Sequence, residues 1–117
     1  MSDRYFLDTN IFVYCFDHSD HKKQRRANAL VEGALADHKG VISSQVIEEF
    51  LNVATRKFAS PMTPEETQAY LNSVLAPLCE VYANPNLYKE ALSIKKEIGC
   101  SFYDALILAA PWETAPR

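Results

Sequence analysis

A chain of 117 residues is long enough for one domain with a buried core and too short for a second. Hydrophobic residues at 48% and charged residues at 23% exclude disordered and collagen-like classes, and no apolar run approaches the length of a membrane span. The formal net charge is −3, so any contact with nucleic acid has to come from local patches rather than from the overall charge.

In chain order, the opening Met1-Ser2-Asp3-Arg4 lacks the long apolar stretch and cleavage site of a secretory signal, which makes a cytosolic location the expectation, with no membrane partner. Tyr5-Phe6-Leu7 fits a short buried strand that ends at Asp8-Thr9-Asn10, three residue types favoured at helix caps. Ile11 to Phe16 reads as a short helix. After the polar turn Asp17 to Asp20, Ala27, Leu30, Val31 and Leu35 recur at helical spacing over about 21–36. Val41-Ile42 is a second strand after Gly40, and Ser43-Ser44 offers an N-cap to a helix over about 45–58. Thr63-Pro64-Glu65-Glu66 has the cap, early proline and first-turn acids of a helix start. A third strand is expected within 78–83. Asn84-Pro85 then starts a helix that ends at Gly99, and a last helix begins near Phe102. Strands alternating with helices imply an α/β fold with a parallel sheet.

Three acids stand out against this frame. In such sheets ligands sit beyond the carboxyl ends of the strands, where Asp8 falls, although a helix N-cap explains that residue equally well. Glu48 and Glu49 flank opposite borders of the apolar stripe Val46, Ile47, Phe50, Leu51, Ala54 and Phe58, and periodicity does not say which one turns toward the sheet end. A solvated place in the first helical turns accounts for either. Asp104 lies in the very apolar stretch Phe102 to Ala110, where a capping box with Ser101 is the structural explanation.

Strand-Asp8-Thr9-Asn10, the run Ser43 to Val53 (SSQVIEEFLNV) and the run Ser101 to Ile107 (SFYDALI) resemble, in order and at fitting distances, three successive motifs of PIN-domain nucleases, in particular VapC-like toxins of type II toxin–antitoxin systems. The resemblance implies a PIN-like three-layer α/β/α fold with a central parallel sheet over residues 1–110, lacking the last family strands, followed by a non-family tail at 111–117. It selects Glu49 over Glu48, because the family's acid directly precedes the Phe of that block. Asp8, Glu49 and Asp104 would then be the catalytic residues and would hold Mg²⁺ or Mn²⁺, with Thr9 and Asn10 in support. Hard divalent ions take oxygen donors, and a metal-bound water can attack a phosphodiester with no protein nucleophile.

The implied activity is a metal-dependent endoribonuclease, with RNA as substrate and an antitoxin protein and a second copy of the chain as partners. The alternative is a catalytically inactive PIN remnant that keeps antitoxin or RNA binding. What favours that alternative is the departure from the family after Ala110, where a further acid and strand are expected and Glu113 is a poor substitute. Loss of those strands would leave Tyr5 to Leu7 as an apolar edge prone to self-association.

Other features weigh less. Lys22, Lys23, Arg25 and Arg26 could follow an RNA backbone, or simply form a solvated helix face. His18 and His21 beside Asp17 and Asp20 suggest zinc only weakly, since other ligands are lacking, and His38 suits a helix C-terminus. Cys15, Cys79 and Cys100 are too scattered for a disulfide framework or a thiolate zinc site and read as reduced core residues. Asn10 stands where haloacid-dehalogenase-like phosphatases need a second Asp, and no glycine-rich loop follows the first strand.

Overall fold

The computed structural model describes residues 4–109, and the tail at 111–117, with Glu113, lies outside them. The described strands form one three-stranded sheet in the order β1-β2-β3, with β1 Tyr5–Phe6, β2 Gly40–Ser43 and β3 Cys79–Val81. Both pairings are parallel, as the alternation of strands and helices predicts. Tyr5 N–H donates to the Lys39 carbonyl and Leu7 N–H to that of Val41, both at 3.0 Å. The central strand is the most apolar, and Gly40, Val41 and Ile42 are all buried.

Helices α1 (Thr9–Tyr14) and α2 (His21–Asp37) connect β1 to β2. The return to β3 runs through α3 (Ser44–Arg56), α4 (Pro64–Tyr70), a π-helical turn at Leu71–Leu75 and the single turn α5 (Ala76–Leu78). Then α6 (Pro85–Ile98) and α7 (Phe102–Ala109) follow. The main core joins the sheet to α1, α2, α3 and α5 around Phe12, Phe50, Ile42 and Leu75, all essentially inaccessible to water. Phe12 meets Phe50 edge-on at 6.3 Å between centroids, and Phe16, Phe58 and Tyr70 extend that aromatic cluster. A second, smaller cluster of Ala91, Ala105 and Leu106 joins α6 to α7.

Most helix starts carry the expected side-chain caps. Asp20 accepts from Lys23 N–H, Ser43 from Val46 N–H, and Asn84 from Leu87 N–H. Thr63 and Glu66 form a reciprocal capping box. Gly99 ends α6 at φ 80°, whereas His38 ends α2 in the same left-handed region at φ 60° without a glycine's freedom. His38 is therefore the C-cap itself.

Several boundaries differ from the expectation. Leu78, expected to open the third strand, closes α5 instead, and β3 is three residues long. Helix α3 stops at Arg56, so Phe58 packs on the core from the loop that follows. The π turn was unforeseen. Pro77 cannot donate the N–H that a regular helix would direct at Ser73, and just before it the ladder widens, with Ala76 N–H bonding the Leu71 carbonyl five residues back. The first strand does lie at an edge of the described sheet, but it is not a bare apolar rim: Leu7 is buried, and Tyr5 and Phe6 are half-buried against the core.

The cysteines behave as core residues. Cys15 and Cys79 are buried, Cys100 is half-buried, and all three are free. Burial, reinforced by Glu32, pushes the Cys15 thiol up to about 11, so it stays protonated.

Helix α2 rests on the sheet through the close approach of Gly40 to Ala34. A Cβ at Gly40 would fall on the Ala34 side chain and press on the Tyr5 ring at 3.1 Å. Gly40→Ala is therefore expected to destabilise the fold by about 1–3 kcal/mol, the usual range for overpacking, read as a lower urea midpoint at unchanged slope.

Candidate active site

Asp8 and Ser43 end neighbouring parallel strands, so α1 and α3 both set out from the same edge of the sheet. Asp8 occupies the N-cap position of α1 with extended backbone, but its side chain caps nothing; only its carbonyl accepts, from Ile11 N–H at 3.1 Å. The carboxylate itself is exposed at the strand end. Asp8 is thus the N-cap by position, without a side-chain cap.

Thr9 is the one buried polar residue among those described, at 9% exposure. Its hydroxyl donates to Glu49 Oε1 at 2.6 Å, a contact between residues 40 positions apart that ties the first motif to the second. Gln45, one turn earlier on α3, donates its amide to Glu49 Oε2 at 3.2 Å. Both Glu49 oxygens are thus oriented, while an ionised carboxylate keeps lone pairs for further donors or an ion. Glu48, the adjacent residue, turns away and lines a cavity against α6 and α7. The wheel argument that the two acids leave the stripe by opposite borders matches this divergence.

Asp104 sits exposed in the first turn of α7, where its N–H is capped by Ser101 Oγ at 3.1 Å. Only half of the expected capping box forms, because the Asp104 carboxylate accepts no hydrogen bond from another described residue. Helix α7 packs chiefly on α6. Among the described residues, no three His, Cys, Asp or Glu side chains stand close enough together to hold an ion. Asp8, at the strand end, and Glu49, on the helix that leaves the neighbouring strand, are oxygen donors of the kind a hard divalent cation takes.

The remaining candidates are scattered. Asn10 is exposed on the first turn of α1. Lys22, Lys23, Arg25 and Arg26 are exposed on α2, and Lys23 Nζ stands over the Tyr14 ring at 4.7 Å. His18 contacts Gln24 through Nδ1 at 3.4 Å, and no metal cluster forms there among the described residues. Sequence reasoning missed Gln45 as an orienting residue. Its place four residues before Glu49, one helical turn away, was the available signal.

The PIN domain family model matches residues 5–110, nearly the whole chain, and the chain belongs to that family. Its sheet and helices are the PIN-like α/β/α architecture, and PIN domains are in general nucleases that use divalent metals. No curated protein matches the sequence. No helix of the described residues is long and apolar enough to cross a membrane.

Thr9→Val removes the donor to Glu49 at nearly constant volume. The expected loss is about 1–2 kcal/mol in urea unfolding, moderated because Glu49 remains open to water, whereas Thr9→Ser keeps most of the stability.

Proposed function

We propose that this PIN domain is a metal-dependent endoribonuclease of the VapC-like toxin type, with Asp8, Glu49 and Asp104 as its acidic residues. The observation that carries the reading is the Thr9–Glu49 hydrogen bond, which joins two separate motif blocks at the carboxyl edge of a parallel sheet, where ligands of such sheets bind. The family membership and the order of all three blocks along the chain support it.

Asp8 and Glu49 would hold Mg²⁺ or Mn²⁺, and Asp104 is the third donor that the motif supplies. When bound, the cation would lower the pKa of its water and stabilise charge developing on the phosphate. Thr9 and Gln45 keep Glu49 in one rotamer, so its carboxylate faces the strand end before any ligand arrives. Asn10, one residue beyond Thr9, is placed to steady the first carboxylate or a bound water. The exposed cations of α2 are proposed to contact the RNA backbone. An antitoxin protein and a second copy of the chain are the proposed partners, and the position of β1 at an edge of the described sheet favours the latter.

The test is cleavage of a mixed RNA pool in Mg²⁺ or Mn²⁺. The wild-type chain is expected to cut, and Asp8→Asn to cut more than about a hundredfold more slowly, beyond what loss of an outer-shell partner usually costs. A folded wild-type chain that cuts no RNA with either metal would instead support a non-catalytic PIN domain that binds antitoxin or RNA. That no three acids among the described residues stand close enough together to hold an ion is the observation that favours that second reading.

A further inference from the structure

A cavity lies beside the Asp8–Glu49 edge. It encloses about 340 Å³ between the first turns of α3, the end of β3 and the α6–α7 pair, a size within the range of small-ligand pockets. Its walls combine three aromatic rings with the polar side chains of Ser43, Ser44, Gln45 and Glu48. Tyr88 and Phe102 lie 6.2 Å apart between centroids at 36°, and Tyr103 adjoins Phe102 at 6.0 Å. Tyr88 is 42% exposed and Tyr103 59%, so aromatic surface stands open where the cavity meets solvent, while Leu106 is buried beneath. On the facing wall are Gln45 and Glu48. Glu48 is exposed and forms no ion pair with another described residue.

We propose that this cavity is a pocket for a guanine base of single-stranded RNA, stacked on the Tyr88–Phe102–Tyr103 aromatics and read by the Glu48 carboxylate. The proposal rests on the nuclease reading for the identity of the ligand class and adds to it a specificity-determining residue. Unpaired bases are recognised by stacking on aromatic rings and by hydrogen bonds to their Watson–Crick edges. An ionised carboxylate only accepts hydrogen bonds. Guanine alone among the four bases presents two adjacent donors, N1–H and the N2 amino group, which match the two carboxylate oxygens. Adenine and cytosine each place a lone-pair nitrogen beside their single amino group, and uracil flanks its one donor with two carbonyls. Each of those three would set an acceptor against Glu48. A phosphate is excluded by the same charge.

The location fits a substrate strand. Gln45 lines the cavity and at the same time donates to Glu49, so a base held there lies one side chain from the candidate catalytic edge. Adjacent positions on α3 thereby serve different ends, with Glu49 turned to the scissile region and Glu48 to the base.

The test is equilibrium binding in EDTA, where no metal-dependent cleavage occurs, of labelled hexaribonucleotides of uridine carrying one central guanosine, inosine, adenosine or cytidine, read by fluorescence anisotropy. The guanosine oligonucleotide is expected to bind tightest, and inosine, which lacks only the N2 amino group, to bind about fivefold or more weaker, the low end of what a bidentate contact contributes. Glu48→Gln should bring guanosine down to the level of adenosine, and Tyr103→Ala should weaken binding to every base. Both side chains are exposed, and circular dichroism confirms that the variants fold. Equal affinity for guanosine and inosine, an unaltered preference in Glu48→Gln, or no binding of any oligonucleotide would overturn the pocket. Metal-dependent cleavage of a mixed pool by the wild-type chain is a separate readout, so the nuclease reading can stand where this one falls.

Discussion

The parallel pairing of β1 with β2 is the constraint on which the rest of the molecule depends. Two strands that run the same way must each turn into a connection at the same edge, so Asp8 and Ser43 come side by side although 35 residues separate them in sequence. The strands are very short, and their few hydrogen bonds could not hold them alone. They are held by what packs on them: Gly40 lets α2 settle onto the sheet at Ala34, and Phe12 and Phe50 fill the space between α1 and α3. The Thr9–Glu49 contact follows from this geometry and in turn supplies a partner for the buried Thr9 hydroxyl.

Helix α3 turns neighbouring side chains to different surroundings through its periodicity. With Val46, Phe50 and Ala54 committed to the core, consecutive positions on the helix are turned by about 100° from each other and cannot face the same way. Glu49 therefore meets Thr9, and Glu48 faces the aromatic cavity. A pair that reads in sequence as a repeated acid becomes, in the fold, two groups with different surroundings. Gln45, one turn before Glu49, touches both places.

Much of this was legible because the signals are local. The helix starts at Ser43, Thr63 and Asn84 and the stop at Gly99 are written in residue types whose side chains or backbone freedom do the capping. The divergence of Glu48 and Glu49 follows from the helix wheel, although only the likeness to PIN motifs selected between them. Strand limits were less legible, because pairing partners decide where a strand of two or three residues ends; Leu78 is as apolar as a strand residue and still closes α5. The π turn before Pro77 and the cap role of His38 depend on backbone geometry that no periodicity encodes. Asp104 shows the other limit: the likeness to a motif singles the residue out, but no local pattern says how α7, which packs chiefly on α6, stands toward the other acids.

The central claim is that Asp8 and Glu49 form one cation site at the sheet edge. Calorimetric titration of the folded chain with Mn²⁺ tests it most directly, comparing the wild type with Asp8→Asn, Glu49→Gln and the remote surface variant Glu97→Gln. The account predicts saturable binding that both edge variants weaken by about tenfold or more and that Glu97→Gln leaves intact. Saturable Mn²⁺ binding that persists unchanged in Asp8→Asn and Glu49→Gln would contradict it.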